Sequence, residues 1–454
     1  MRLVVVGAGI TGLAGARAAA LEARSAGLEL EVVVLEAAGR PGGKLLTEDV
    51  GAGLTVEWGP DAFLGAKPRG RALVEEVGLG DQLVAVAPGG RRAFLLRGGT
   101  LHTFPPGLVM GIPTSAGAAR RAVRAGLLSR GGGLRAAVEP LLPGRPIGVS
   151  DEPAATVVRR RLGDEAATRL VEPLLRGVFG TPGSDVGVRS ALPRAVGHRS
   201  LARAMRASGT PSDHSPFLAL RGGFGTLVNA LVAALPEGAV RTGTPAEAVT
   251  PVGDGFGVGG LRTDAVLVTA PAPAAAEAIA PVAPRAAEAL RGIRYSASAV
   301  VVLRYPADSM TRTLDGSGFL VDPDEGLSIA ACSWFSSKWP HLTGDRVVLR
   351  AVVTDPEGLS ADDDALAARV AAEVGRVMGG PGEPDFLRLH RWSRALPIFA
   401  PGHRDRMREA TAALPERIAV AGAFLGGVGI PDCIESGENG ARRLVAALAR
   451  RGDT

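Results

Sequence analysis

The first thirty-six residues constrain this chain more than any other part. Leu3-Val4-Val5-Val6 is a short apolar strand, Gly7-Ala8-Gly9-Ile10-Thr11-Gly12 follows without a spacer, and Leu13 to Glu22 is an Ala-rich, helix-forming run. A second apolar run, Glu31-Val32-Val33-Val34-Leu35, ends in Glu36. Strand, glycine turn, helix, strand and acid in that order read as a dinucleotide-binding βαβ unit. Gly7 permits the tight turn, Gly9 lets the backbone approach a pyrophosphate, and Gly12 lets the helix lie against the strand. The free N–H groups of the helix start, from Ala8 through Ile10 and Thr11, favour an anion. A carboxylate at the second strand tip, Glu36 followed by Ala37, suits the hydroxyls of a ribose.

The next segment separates NAD from FAD. Gly39-Arg40-Pro41-Gly42-Gly43-Lys44 resembles the second glycine motif of the glutathione-reductase-like flavoproteins, in which an Arg and glycines lie against the FAD diphosphate. Glu57-Trp58-Gly59-Pro60-Asp61-Ala62-Phe63 comes soon after, and its Gly-Pro turn suits close approach of backbone to a flavin ring. At the other end, Ile418 to Ala423 is a buried-type strand closed by glycine. Gly426-Gly427-Val428-Gly429-Ile430-Pro431-Asp432 then leads into a helix expected from Ile434 to about Arg450. Glycine N–H groups before a helix suit the flavin pyrimidine and ribityl chain.

A chain of 454 residues exceeds one compact core. The fold class expected is α/β, with a discontinuous Rossmann-like FAD domain over 1–85, 220–270 and 385–454. Between its pieces lie a helical insertion over 86–219 and a mixed α+β substrate domain over 272–384. The second insertion alternates strands (Ala299 to Leu303, Val347 to Val353) with a helix near Ala365 to Met378, and the first holds a helix expected from Ala154 to Leu175. A strand over Ala265 to Thr269 completes the central sheet.

Composition removes several function classes. Basic residues outnumber acidic ones by 51 to 46, and only Lys44, Lys67 and Lys338 are lysines. Arginines without interleaved aromatics make no nucleic-acid surface. Two distant cysteines, Cys332 and Cys433, form no paired pattern, which suits a reducing cytosol. No metal site is expected. No run of about 20 uncharged apolar residues exists, and a start directly on a strand reads as no signal peptide. In the first insertion, Arg120, Arg121, Arg124, Arg130 and Arg135 mix with Val123, Leu127, Leu128 and Leu134. That mixing argues for at most weak, salt-sensitive attachment to the inner face of the cell membrane.

The whole chain resembles the bacterial coproporphyrinogen oxidase group, in one family with the protoporphyrinogen oxidases. The resemblance rests on Gly42-Gly43-Lys44, Gly59 to Leu64, Val109 to Thr114, Glu172 to Gly180, His198 to Leu201, Lys338-Trp339-Pro340-His341, Arg391-Trp392 and, most specifically, Gly427 to Ile434. It departs from the family at Gly180-Thr181-Pro182-Gly183 and Leu396-Pro397-Ile398-Phe399, which leaves the fine shape of the pocket open. The resemblance implies a cytoplasmic FAD oxidase that takes six electrons from a porphyrinogen in three steps and passes them to dioxygen. It also implies transient contact with ferrochelatase or another haem-pathway enzyme. The flavin carries the chemistry, so no acid–base dyad is nominated. By position in the family, Val249 corresponds to a backbone contact to adenine and Trp392 to an aromatic beside the flavin or substrate. Lys67, just past the Gly-Pro turn, is the candidate partner of a propionate. A flavin amine oxidase, a carotenoid desaturase and a flavin-binding assembly factor are the competing readings on the same frame.

Overall fold

The structure is a computed structural model and describes residues 1–207, 217–380 and 382–452. Its centre is a five-stranded parallel sheet in the order Val240–Arg241, Glu31–Leu35, Arg2–Val6, Ala265–Val268, Ile418–Val420. The strands expected near Leu3, Glu31, Ala265 and Ile418 all join it. Such sheets are covered on both faces, which is why their strands read as unbroken apolar runs. Leu3, Val5, Val32 and Val34 face a core shared with helices Ile10–Ser25 and Ile430–Gly452. Val4, Val6, Val33 and Leu35 face a second core under helices Ala272–Ile279 and Pro284–Arg291.

The two helices on the first face touch main chain to main chain. A Cβ on Gly437 would lie 2.1 Å from the Thr11 carbonyl oxygen. This contact sets the first turn of the N-terminal helix against Gly437, two turns into the C-terminal helix, which starts at Ile430 rather than Ile434.

The second layer is a seven-stranded sheet in the order Phe386–Trp392, Ser298–Tyr305, Val347–Val353, Ile329–Trp334, Gly318–Val321, Phe94–Arg97, Thr100–Thr103. It is antiparallel except where Gly318–Val321 meets Phe94–Arg97. Helix Asp363–Met378 covers one face through Leu366, Val370, Val374 and Met378, spaced four apart on a single stripe. Two expected boundaries move. Residues 94–103, placed in the helical insertion, and 386–392, placed in the FAD domain, both belong to this sheet, because their backbone partners are Phe319–Val321 and Ser298–Arg304.

The first insertion otherwise forms a helical body over Ala116–Ala207 around its own core. The single helix expected from Ala154 to Leu175 is broken at Leu162. Gly163 takes φ +89°, and the Arg135 guanidinium accepts the role of a cap, donating to the carbonyls of Arg160 at 2.8 Å and Arg161 at 2.6 Å. The mixing of arginines and leucines also resolves. The helix ends at Arg124, with Arg120, Arg121 and Arg124 exposed, while Leu127 and Leu128 turn into the core. Leu134 stays exposed.

Candidate active site

The glycine turn sits at the carboxyl end of the parallel sheet, where open α/β sheets take their ligands. A Cβ on Gly12 would lie 1.9 Å from the Gly7 carbonyl oxygen, so helix and turn can pack only with glycine there. A Cβ on Gly9 would meet no protein atom within 4 Å. Nothing in the protein's own packing demands glycine at that position, and a group laid across the helix start would find room there. Glu36 faces the same turn. Its carboxylate accepts from the Ala8 N–H at 2.7 Å and from the Ala38 N–H at 2.8 Å, and each oxygen keeps a further acceptor position for a hydroxyl. Ala37 is exposed beside it.

The second glycine motif closes on the first. Gly42 donates to the Ala8 carbonyl at 2.7 Å, and a Cβ on Gly43 would lie 3.2 Å from the Gly9 Cα. Arg40 folds over this loop and donates to the Gly43 carbonyl at 2.7 Å, and burial pulls its guanidinium below the usual arginine range against the pull of Glu36. The Lys44 ammonium lies 5.7 Å from the centre of the Tyr295 ring. Among the described residues no carboxylate pairs with it, and burial lowers its affinity for a proton. A partly buried, unpaired cation beside two helix starts suits an anionic group.

The Gly-Pro turn is packed from both sides. A Cβ on Gly59 would lie 1.9 Å from the Lys44 carbonyl oxygen, so the two motifs run backbone against backbone. On the far side the turn meets the seven-stranded sheet through Leu54, Val56, Trp58, Val300, Val302, Phe335, Trp339 and Val348. Pro60 and Ala62 are half-buried there. Asp61 points into this junction. Its carboxylate accepts from Lys338 Nζ at 2.5 Å and Trp339 Nε1 at 3.1 Å. Burial alone would raise its pKa, but Lys338 and Arg350 outweigh that and hold it well below the carboxylate range. Its side chain is therefore committed to the sheet, and what remains of Asp61 for a cofactor is its main chain. Glu57, fully buried, accepts from the Phe224 N–H at 2.6 Å and from Thr47 Oγ1. Burial pushes its carboxyl up to about 8, against the hydrogen bonds and Arg350.

The remaining expected residues divide. Gly427, Val428, Gly429 and Ile430 lead into the C-terminal helix, and Val428 packs on the helical body. Cys433, in the same first turn, is buried, which pushes its thiol up to about 11. Lys67 reaches the same turn: both Asp432 carboxylate oxygens lie within 2.6 Å of its ammonium, and Asp432 also accepts from the Gly429 N–H. Val249 is fully buried and its N–H is given to the Ala278 carbonyl at 2.7 Å, which leaves its carbonyl as the main-chain group for an adenine. The Trp392 indole donates to the Trp58 carbonyl at 2.8 Å, and its ring meets His390 edge-on at 4.4 Å. Arg350 and Tyr295 were not foreseen. The signal for Arg350 was available, since it is the only charge inside the apolar strand Val347–Val353.

Comparison with known proteins agrees with this arrangement. A family model described as flavin containing amine oxidoreductase matches residues 10–445. The coproporphyrinogen III oxidase of Bacillus subtilis (strain 168) is 33% identical over 460 residues, spanning 96% of each chain. That of Mycobacterium tuberculosis is 34% identical over 454 residues, spanning 98% of this chain and 97% of its own. A solved structure from Exiguobacterium sp. 255-15, provisionally named a protoporphyrinogen oxidase, superposes with a TM-score of 0.85 at 30% identity over 99% of both chains. With the family model matched over residues 10–445 and relatives above 30% identity over nearly the whole chain, this chain belongs to the flavin-containing amine oxidoreductase family, alongside the bacterial coproporphyrinogen III oxidases.

Proposed function

We propose that this protein is an FAD-dependent oxidase that converts coproporphyrinogen III to coproporphyrin III with dioxygen as acceptor. The observation that carries the reading is full-length similarity to proteins of that name, joined to a site whose open turn and unpaired Lys44 suit a dinucleotide. Bound FAD supplies the hydride acceptor in this chemistry. Each of three steps removes one hydride and one proton from the macrocycle. Three dioxygen molecules leave as three hydrogen peroxide molecules, which accounts for six electrons and six protons.

The chain's own residues bind and orient. Glu36 holds the adenosine ribose, and the helix start at Gly9 to Gly12 holds the diphosphate together with Arg40 and the Gly43 main chain. Lys44, the Gly59 to Ala62 turn, Trp392 and the Gly427 to Ile430 segment enclose the flavin end. Val249 offers its carbonyl to the adenine. Lys67 stands at the substrate side, where a propionate would compete for it with Asp432. No described helix is long and apolar enough to cross a membrane. The reading places the enzyme in the cytoplasm, with weak, salt-sensitive attachment through the exposed arginines of the helical body, and transient contact with a haem-pathway enzyme such as ferrochelatase.

The protoporphyrinogen reading is favoured by one observation, the name carried by the Exiguobacterium relative. One experiment separates the readings. Purified yellow protein is mixed under nitrogen with coproporphyrinogen III, with protoporphyrinogen IX and with a polyamine, and the flavin band is followed. Faster bleaching by coproporphyrinogen is expected. Faster bleaching by protoporphyrinogen reassigns the substrate, and bleaching by the polyamine alone replaces the reading with an amine oxidase.

A further inference from the structure

The turn that carries Gly59 and Pro60 leaves its own hairpin at Trp58. Glu57 pairs with Thr47, and the Trp58 N–H still donates to the Leu46 carbonyl at 2.9 Å. The carbonyls of Glu57, Trp58 and Gly59 each accept a hydrogen bond from a side chain of the seven-stranded sheet. Arg350 Nε donates to the Glu57 carbonyl at 2.9 Å and its Nη2 donates to the Gly59 carbonyl. Trp392 Nε1 donates to the Trp58 carbonyl at 2.8 Å. Two residues on, Lys338 and Trp339 hold the Asp61 carboxylate.

Three successive carbonyls held by side chains some three hundred residues away in sequence are not a packing accident. Arg350 is buried, and its fork is spent on main-chain carbonyls although carboxylates stand nearby, so it fixes a backbone path as well as lending its charge to Asp61. The fork holds the Gly59 carbonyl while the Lys44 carbonyl packs against the Gly59 Cα, and Lys44 follows directly on the glycines that cover the dinucleotide turn.

We propose that Arg350 and Trp392 are positioning residues for the cofactor: they set the path of the Glu57–Gly59 backbone from the substrate-side sheet and thereby the placement of the flavin. This rests on the reading above that the turn meets the flavin. Trp392 then acts by its indole N–H on the loop. The nucleotide half supplies the turn, the other half gives it its shape, and a change in the sheet is felt at the flavin.

The test uses the full-length protein stripped of FAD and reloaded. Arg350→Met removes the fork at similar length, Trp392→Phe removes one donor and keeps the ring, and Arg346→Ala, a half-buried residue before the same strand that pairs with Asp385, is the control. Three quantities are read: the FAD dissociation constant, the visible flavin spectrum and the two-electron midpoint potential. Arg350→Met should weaken FAD by about tenfold or more, the size of one charged hydrogen bond. Trp392→Phe should weaken it less, and both should shift the spectrum and the potential, while Arg346→Ala shifts neither. If Arg350→Met does not fold, Trp392→Phe decides alone. A lowered melting temperature with unchanged FAD affinity, spectrum and potential in Trp392→Phe and in any folded Arg350→Met would overturn the proposal and leave both residues as scaffold. Failure of the wild-type apoprotein to take up FAD would instead overturn the cofactor reading beneath it.

Discussion

The turn at Gly7–Gly12 and the turn at Glu57–Ala62 both border the proposed cofactor, and they are built by opposite means. In the first, the geometry comes from neighbours in sequence. Gly12 packs on Gly7, and Glu36, at the end of the adjoining strand, ties down Ala8. One distant hydroxyl, Thr269 Oγ1, donates to the Val6 and Gly7 carbonyls. In the second, the local hairpin ends at Trp58, and Arg350, Trp392, Lys338 and Trp339 provide the rest. The first turn draws most of its geometry from its own backbone and the adjoining strand. A turn held by another sheet is only as well placed as the packing between the two layers, where Trp58, Phe335 and Trp339 are each almost fully buried. Each such side chain contributes about 1.5–3 kcal/mol by leaving water.

The sharpest way to break the contrast lies within the first turn. Gly12→Ala places a methyl 1.9 Å from the Gly7 carbonyl oxygen and should cost about 3 kcal/mol or more, seen as colourless, poorly folded protein. Gly9→Ala adds the same methyl in open space at an ordinary φ of −69°. It should keep the melting temperature and lose FAD affinity. Equal behaviour of the two would show that the turn serves packing alone.

Glu36→Ala comes next. It strips the acceptor from two backbone N–H groups as well as from the ribose, so the variant should purify with far less FAD and lose about 1.5–3 kcal/mol of stability. Full yellow occupancy would remove Glu36 from the cofactor site.

The second turn should betray itself through pH. The Glu57 carboxyl is raised by burial from 4.5 to about 8. Below the lower value it is protonated in both folded and unfolded chains. Between the two only the folded chain keeps the proton, so stability falls as pH rises through this window, by at most about 1.4 kcal/mol per unit, and levels off above it. Glu57→Gln should flatten that slope in thermal melts taken from pH 5 to 8. A wild-type melting temperature that rises across this window would mean that Glu57 is ionised when folded.

The smallest effect is expected at Lys67. Its pair with Asp432 is partly exposed, so Lys67→Ala should change stability by less than about 1 kcal/mol. If Lys67 meets a propionate, the KM for the tetrapropionate substrate should rise more than for the dipropionate one. Equal rises in steady-state assays would leave Lys67 as a tie between the turn's exit and the C-terminal helix.

Much of this was legible in residue order, for a physical reason. The parallel strands are buried on both faces and therefore apolar throughout, and a glycine whose Cβ would strike its own turn has no substitute. The strands at Arg2, Glu31, Ala265 and Ile418, the glycine turn and the acid at Glu36 could all be named before the fold was seen. Errors arose where a long-range partner overruled a local pattern. The run Ala154 to Leu175 is largely helical in composition, but it stops at Leu162, where Gly163 takes φ +89° and Arg135 binds the last carbonyls. The strand Phe386–Trp392 was assigned to the wrong layer because its apolar pattern does not name its neighbour, Ser298–Tyr305.

What residue order could not hold was the second turn. Asp61 and Trp392 were singled out for the cofactor, yet their side chains face each other's layers rather than open space, Asp61 toward Lys338 and Trp392 toward the Trp58 carbonyl. Local geometry is written in backbone sterics and the period of apolar residues, and both act over a few neighbours. Which distant side chain reaches an unpaired carbonyl depends on how two finished sheets pack, and that is decided only when the tertiary structure forms.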